Sequence, residues 1–203
     1  VKPHQRLRIL DFMVLAGELD HAHAMAMTLE ACRLCPSRNV QAAAGCVKAG
    51  EALGRAGRTD DAIACFERAM AIRPDQGPEV LTVLGNLYLR KGGQARAIAS
   101  YLRALEVNPD YAPAMGNLAS AYSMQGSYDK AFDLLSRLRE MRPDDPEVEY
   151  NMACLHARQG RVDEAVRSLK AAVEKGFDDR ELLRTDPDLE SLRETEFYQE
   201  LVH

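Results

Sequence analysis

From residue 43 to residue 179 small and apolar residues recur three and four positions apart, the spacing that draws one stripe along an α-helix. The stripes come in runs of about a dozen residues, and the runs are broken alternately by glycine and by proline. The breaks are periodic. "RAMAIRPDQGP" (68–78), "RALEVNPDYAP" (103–113) and "SRLREMRPDDP" (136–146) end a helix-forming run on Pro-Asp with a second proline following, 35 and then 34 residues apart.

Every landmark between those endings keeps register. A large residue stands at Leu53, Tyr88 and Tyr122, with His156 in the fourth copy, and three residues before each is a small one: Gly50, Gly85, Ala119, Ala153. Glycine follows at Gly57, Gly92, Gly126 and Gly160, alanine at Ala62, Ala97, Ala131 and Ala165, then Phe66, Tyr101, Leu135 and Leu169, and last Ala69, Ala104, Leu138 and Ala172. One extra residue near Gly77 is the single shift. The glycine column predicts a reversal between two helices, because glycine adopts the left-handed conformation without a Cβ penalty. Asp60, Asp129 and Asp163, just beyond it, are placed to cap the next helix or to favour its positive end. Proline stops the second helix, having no N–H to donate. The repeating unit is therefore helix, tight turn, helix, loop. A single hairpin of this kind has an apolar face that only a stacked neighbour covers.

The segment "PEVLTVLGNLYLRKGGQARAIASYLRALEVNPDY" (78–111) resembles the tetratricopeptide repeat almost throughout, and so do 43–77, 112–145 and, with departures at Glu149, His156 and Phe177, 146–179. "GELDHAHAMAMTLEACRLCP" (17–36) reads as part of a degenerate hairpin over 5–36, with Gly17 before Ala22 as Gly57 precedes Ala62. "KGFDDRELLRTDPDLESLRETEFYQELV" is similar to the tail that closes bacterial arrays of this type. It is expected to offer Leu182, Leu183, Leu189, Leu192, Phe197 and Leu201 to the last repeat, with 180–203 as capping helices. The resemblance implies an all-α, right-handed α-solenoid of stacked antiparallel hairpins, spanning 1–203 as one domain.

Composition narrows the field modestly. Twenty-six Lys+Arg against 31 Asp+Glu leave a net charge of −5, which argues against nucleic acid as the main partner. No apolar run is long enough to span a bilayer, and Asp11 interrupts the short apolar stretch near the start, so neither a membrane span nor a signal peptide is expected. Five cysteines at irregular spacing point to a reducing compartment, hence a cytoplasmic location.

Candidate chemistry dissolves on inspection. Cys32-Arg-Leu-Cys35 lies near His21 and His23. On one helix, however, His23 and Cys32 are separated by roughly 13 Å at 1.5 Å per residue, too far to share a zinc ion. This C-x-x-C also closes a helix instead of opening one, unlike redox pairs. Cys46, Cys65 and Cys154 fall in columns for small or apolar residues, and His156 in the large-residue column. "GCVKAGE" (45–51) has phosphate-loop glycine spacing but ends Gly-Glu and lies inside a helix. No catalytic constellation, cofactor or metal site is expected.

The family resemblance implies instead that the first helices line a concave groove holding a peptide. The inward residues would be Val47, Glu51 and Arg55; Thr82, Asn86 and Arg90; Asn117, Ser120 and Met124; and Tyr150, Asn151, Cys154 and Arg158. Asn86, Asn117 and Asn151 stand out, since an amide supplies both donor and acceptor to a peptide backbone. Arg55, Arg90 and Arg158 suit acidic partner groups, but the preferred reading is that they balance the negative ends of their own helices. The carboxylate clamp of chaperone-binding relatives is not expected: Thr82 stands where its first lysine is needed, and Glu147 and Asn151 where its last cations are. The function implied is a non-catalytic scaffold for protein or peptide segments, monomeric or weakly self-associating. The alternative is a regulatory or assembly module of a membrane-linked or secretion complex.

Overall fold

The protein is described here by a computed structural model, in which residues 40–202 are described; the hairpin expected over 5–36, with His21, His23, Cys32 and Cys35, lies outside the described residues. The chain divides into two units at Val107 and Asn108. In the first, α1 (Val40–Arg55) pairs with α2 (Thr59–Ile72), and α3 (Pro78–Arg90) with α4 (Gln94–Val107). In the second, α5 (Ala112–Met124) pairs with α6 (Tyr128–Met141), and α7 (Pro146–Arg158) with α8 (Val162–Glu174). A tail follows: α9 (Arg180–Thr185), a 3-10 turn (Pro187–Leu192) and α10 (Glu196–Val202). Among the described residues the fold is an all-α helical repeat.

The turns form as the glycine column requires. Gly57, Gly92, Gly126 and Gly160 have φ of 77°, 79°, 79° and 71°. The residue after each donates its N–H back to the carbonyl five positions earlier: Arg58 to Leu53 (2.9 Å), Gly93 to Tyr88 (2.7 Å), Ser127 to Tyr122 (2.9 Å) and Arg161 to His156 (3.0 Å). The acceptor is thus always the main chain of the large-residue column. The expected aspartate caps do not form. Arg58, Ser127 and Arg161 hold the cap positions without a side-chain bond, and Asp60, Asp129 and Asp163 lie in the first turn, where they favour the helix dipole. The second proline of each ending opens the next helix, at or beside its first position in α3, α5 and α7.

Within each hairpin the two helices meet at a small residue. A Cβ placed on Gly50 would come within 2.7 Å of the Phe66 ring, and one on Gly85 would clash with the Tyr101 ring. Phe66 and Tyr101 are fully buried. The third and fourth hairpins fill the same columns with Ala119 and Leu135, and Ala153 and Leu169, all buried. Glycine accompanies an aromatic ring and alanine a leucine, so the summed volume is kept.

Neighbouring hairpins of the first unit are joined by polar contacts: the Tyr88 hydroxyl donates to Glu67 (2.7 Å), Lys91 pairs with Asp60 (2.5 Å) and Arg90 donates to the Gly54 carbonyl (3.3 Å). Burial, then the bond to Glu67, pushes the Tyr88 phenol up to about 12. The extra residue before Gly77 is absorbed by buried Gln76, whose amide donates to the carbonyls of Ala69 (3.3 Å) and Arg73 (3.0 Å) at the end of α2.

The tail folds back on α7 and α8. Leu183, Leu189 and Leu192 join Tyr150, Ala153, Leu169 and Ala172 in one core, with Phe197 and Leu201 partly buried against it. Leu182, expected in that core, is exposed, and Tyr198 is buried in its place with its hydroxyl donating to the Leu183 carbonyl. Cys65 and Cys154 are buried thiols outside any disulfide. Cys46, read from its column as a plain small residue, is buried and disulfide-bonded.

Two outcomes follow for chemical denaturation. Gly85→Ala, which drives a methyl group into the Tyr101 ring, is expected to destabilise the first unit by about 1–3 kcal/mol, and adding Tyr101→Leu to recover much of that loss, as the third hairpin's pairing implies. Leu189→Ala is expected to remove about 2–5 kcal/mol from the second unit, since the side chain is wholly enclosed.

Candidate partner-binding site

The residues expected to line a groove separate into three environments. On the first unit, Glu51, Arg55, Asn86 and Arg90 are exposed along α1 and α3. Asn86 is partly committed, its Oδ1 accepting from the Tyr101 hydroxyl at 2.6 Å. Burial raises the Tyr101 phenol above its usual range, which keeps it a donor. Thr82 is not a surface residue: it is 4% exposed and its hydroxyl donates to the Pro78 carbonyl one turn back (2.7 Å).

At the far end of the second unit, α7 is covered by the chain's own tail. Tyr150 is 6% exposed, its ring stacked on Phe177 (4.3 Å between centroids) and its hydroxyl donating to Asp186. The Cys154 thiol lies 3.8 Å from the same Asp186 oxygen, while the other Asp186 oxygen accepts from the Asp188 N–H at 2.8 Å. Arg158 pairs with Asp188 at 2.5 Å. Burial foremost pushes both groups upward, followed by the neighbouring Cys154 and then Asp186 for the Tyr150 phenol, and by the Asp186 charge for the Cys154 thiol. These groups hold the tail in place; they are not offered to a partner. Arg90 and Arg158, expected to meet partner acids or their own helix ends, bridge instead to α1 and to the tail.

The third environment is a cleft of about 230 Å³ within the second unit. Gly116, Asn117 and Ser120 of α5 line one side, and Val148 and Asn151 of α7 the other. Leu138 comes from α6 and Arg142 from its C-cap, Asp145 from the N-cap of α7 and Glu147 from its first turn. Proline at the head of both first helices fixes where each begins, so Asn117 and Asn151, 34 positions apart, fall at the same helical register. Gly116 holds the space between them: a Cβ there would stand 3.9 Å from the Asn151 amide nitrogen and 3.9 Å from Leu138. Asp145 caps α7 by accepting from the Glu147 N–H (2.9 Å) and pairs with Arg142 (3.0 Å). Glu147 is left as exposed negative charge on the rim.

Three asparagines do not make one row. Asn86 shares its register with Glu51, Ser120 and Cys154, and the position matching Asn117 and Asn151 in α3 is Val83. Counting the columns from Gly85, Ala119 and Ala153 shows the offset. Gly116, Leu138, Arg142, Asp145 and Val148 are among the lining residues that sequence reasoning did not place in a groove; the small residue beside Asn117 is a local signal for Gly116 alone.

Among the described residues no group of three or more His, Cys, Asp and Glu side chains is placed to hold a metal ion, and no helix is long and apolar enough to cross a membrane.

Several solved structures share this fold. A crystal structure of MamA aligns with a TM-score of 0.71 at 22% identity, covering 91% of this chain and 96% of that one. YrrB, described as a TPR protein with an unusual peptide-binding site, aligns with a TM-score of 0.70 at 20% identity, covering 88% and 89%. A tetratricopeptide repeat protein from Parabacteroides merdae ATCC 43184 aligns with a TM-score of 0.78 at 19% identity, covering 99% and 75%. No curated protein matches the chain. The family model described as the cilia and flagella-associated protein 70 C-terminal domain matches residues 13–186. With paired helices recurring through the described part of that span, the chain belongs to this tetratricopeptide-repeat family.

Proposed function

We propose that the protein is a non-catalytic scaffold that holds an extended segment of a partner protein against α5 and α7. One observation carries this reading: Asn117 and Asn151 stand at equal register on two packed helices and line the same cleft. Two amides at one repeat spacing can satisfy N–H and C=O groups of a peptide backbone without demanding a side-chain sequence. Gly116 and Ser120 leave room for the backbone to approach, and Val148 gives an apolar contact. The rim charge selects further. Arg142 is already paired with Asp145, and Glu147 adds negative charge, so a free C-terminal carboxylate is disfavoured and an internal segment is preferred. The peptide-binding site in YrrB's description and the interaction role general to this fold support the reading.

The test is a displayed random-peptide library, enriched on the whole chain and followed by fluorescence polarisation of the selected peptides. Asn117→Ala with Asn151→Ala is expected to weaken capture about tenfold or more, as the loss of two hydrogen-bonding partners implies, with helicity and unfolding midpoint unchanged. Gly116→Val, which fills the cleft, is expected to do the same. Selected peptides that bind both variants as tightly as the parent would remove the proposal.

A further inference from the structure

The second unit carries another cleft, of about 420 Å³, with different walls. Phe132 and Arg139 of α6, Met152 and His156 of α7, and Arg167 and Ser168 of α8 line it. None of these residues lines the asparagine cleft. Its volume falls within the range of small-ligand pockets, roughly 300–1,000 Å³.

The polar groups here are incompletely used. His156 Nδ1 is buried with no hydrogen-bond partner, a situation folded proteins rarely tolerate without a ligand or water to fill it. Arg139 and Arg167 are exposed, and neither forms an ion pair among the described residues. Two carboxylates also line the cleft. Glu149 is taken by Lys175 at 2.6 Å, which leaves Glu164 as the opposing charge. Arg161, Arg167 and Arg139 together outweigh Glu164 at the imidazole, and with burial as the largest cause they hold His156 below its ordinary pKa. The neutral ring that results has one N–H to give. Beside it is an apolar wall: Phe132 is 40% exposed and meets the His156 ring edge-on at 6.4 Å.

We propose that this cleft is a second binding site, for a peptide segment bearing a carboxylate side chain beside an aromatic one. The carboxylate would accept from Arg139 and Arg167 beside the imidazole, and the aromatic group would lie on the exposed Phe132 ring. Glu164 sets the charge the site takes: one negative group is balanced by the arginines, whereas a phosphate dianion meets repulsion as well. On a chain of net charge −5, such a local positive cleft also sets where an acidic segment docks. The proposal stands independently of the asparagine cleft, since the two share no residue.

The experiment is a titration of the whole chain, isotopically labelled, with N-acetyl-Glu-Phe-amide and its neutral isostere N-acetyl-Gln-Phe-amide, read by NMR at the His156 and Phe132 rings. The glutamate peptide is expected to shift both rings saturably and to bind about tenfold tighter than the glutamine peptide, the scale of one charge-assisted bond. Arg139→Gln with Arg167→Gln, both surface changes, is expected to bring the two peptides to equal affinity, and Asn117→Ala with Asn151→Ala to alter neither. Equal shifts from both peptides on the parent chain, or affinity unchanged in the arginine variant, would overturn the proposal. So would inorganic phosphate displacing the glutamate peptide at lower concentration than the peptide itself needs, which would mark a phosphate site instead.

Discussion

What the rest of the structure depends on is the closeness with which two helices of one hairpin approach at their midpoint. A backbone that near leaves no room for two large side chains, so a small residue on one helix must face a large one on the other. Gly50 with Phe66 and Gly85 with Tyr101 solve this with an aromatic ring lying over bare backbone; Ala119 with Leu135 and Ala153 with Leu169 solve it with a methyl group and a branched chain. Crossing distance fixes where the first-helix side chains stand, and therefore which of them can line a shared cleft. The placement of Asn117 opposite Asn151 is a product of packing made elsewhere in the hairpins.

Most of the architecture was legible because each column answers to a local demand. A left-handed turn needs glycine, a close crossing needs a small residue, a helix end takes proline, and all three signals survive averaging over four copies. The α1–α8 pairing follows from them. The candidate site was only half legible. Asn117 and Asn151 were named for their chemistry; Asn86 was grouped with them by residue type, whereas the position of equal register in α3 is Val83. Thr82 has a polar name and a buried place because its hydroxyl satisfies itself on the Pro78 carbonyl, a possibility that spacing does not reveal.

The tail shows where periodicity stops being informative. Helices of six or seven residues make too few turns to define a face, so Leu182, expected in the core, is exposed, and Tyr198, not named for it, is buried. The contacts that close the fourth hairpin run from Tyr150 and Cys154 to Asp186, and from Arg158 to Asp188. They join segments about thirty residues apart in sequence that have no counterpart in the other copies. Tyr150, Cys154 and Arg158 of α7 are consequently occupied from within, which leaves Asn151 as the groove position of that helix that lines an open cleft.

The reversal after each first helix is secured by a carbonyl oxygen, that of Leu53, Tyr88, Tyr122 or His156, and a main-chain oxygen is the same atom whatever side chain its residue carries. Turn geometry and side-chain identity are thereby uncoupled at a position in each hairpin that carries a bulky group. A leucine, two tyrosines and an imidazole all sit there under one unchanged backbone. A repeat built this way can acquire a titratable ring in its last copy while its helix pairing stays intact, and so diversify its surface one hairpin at a time.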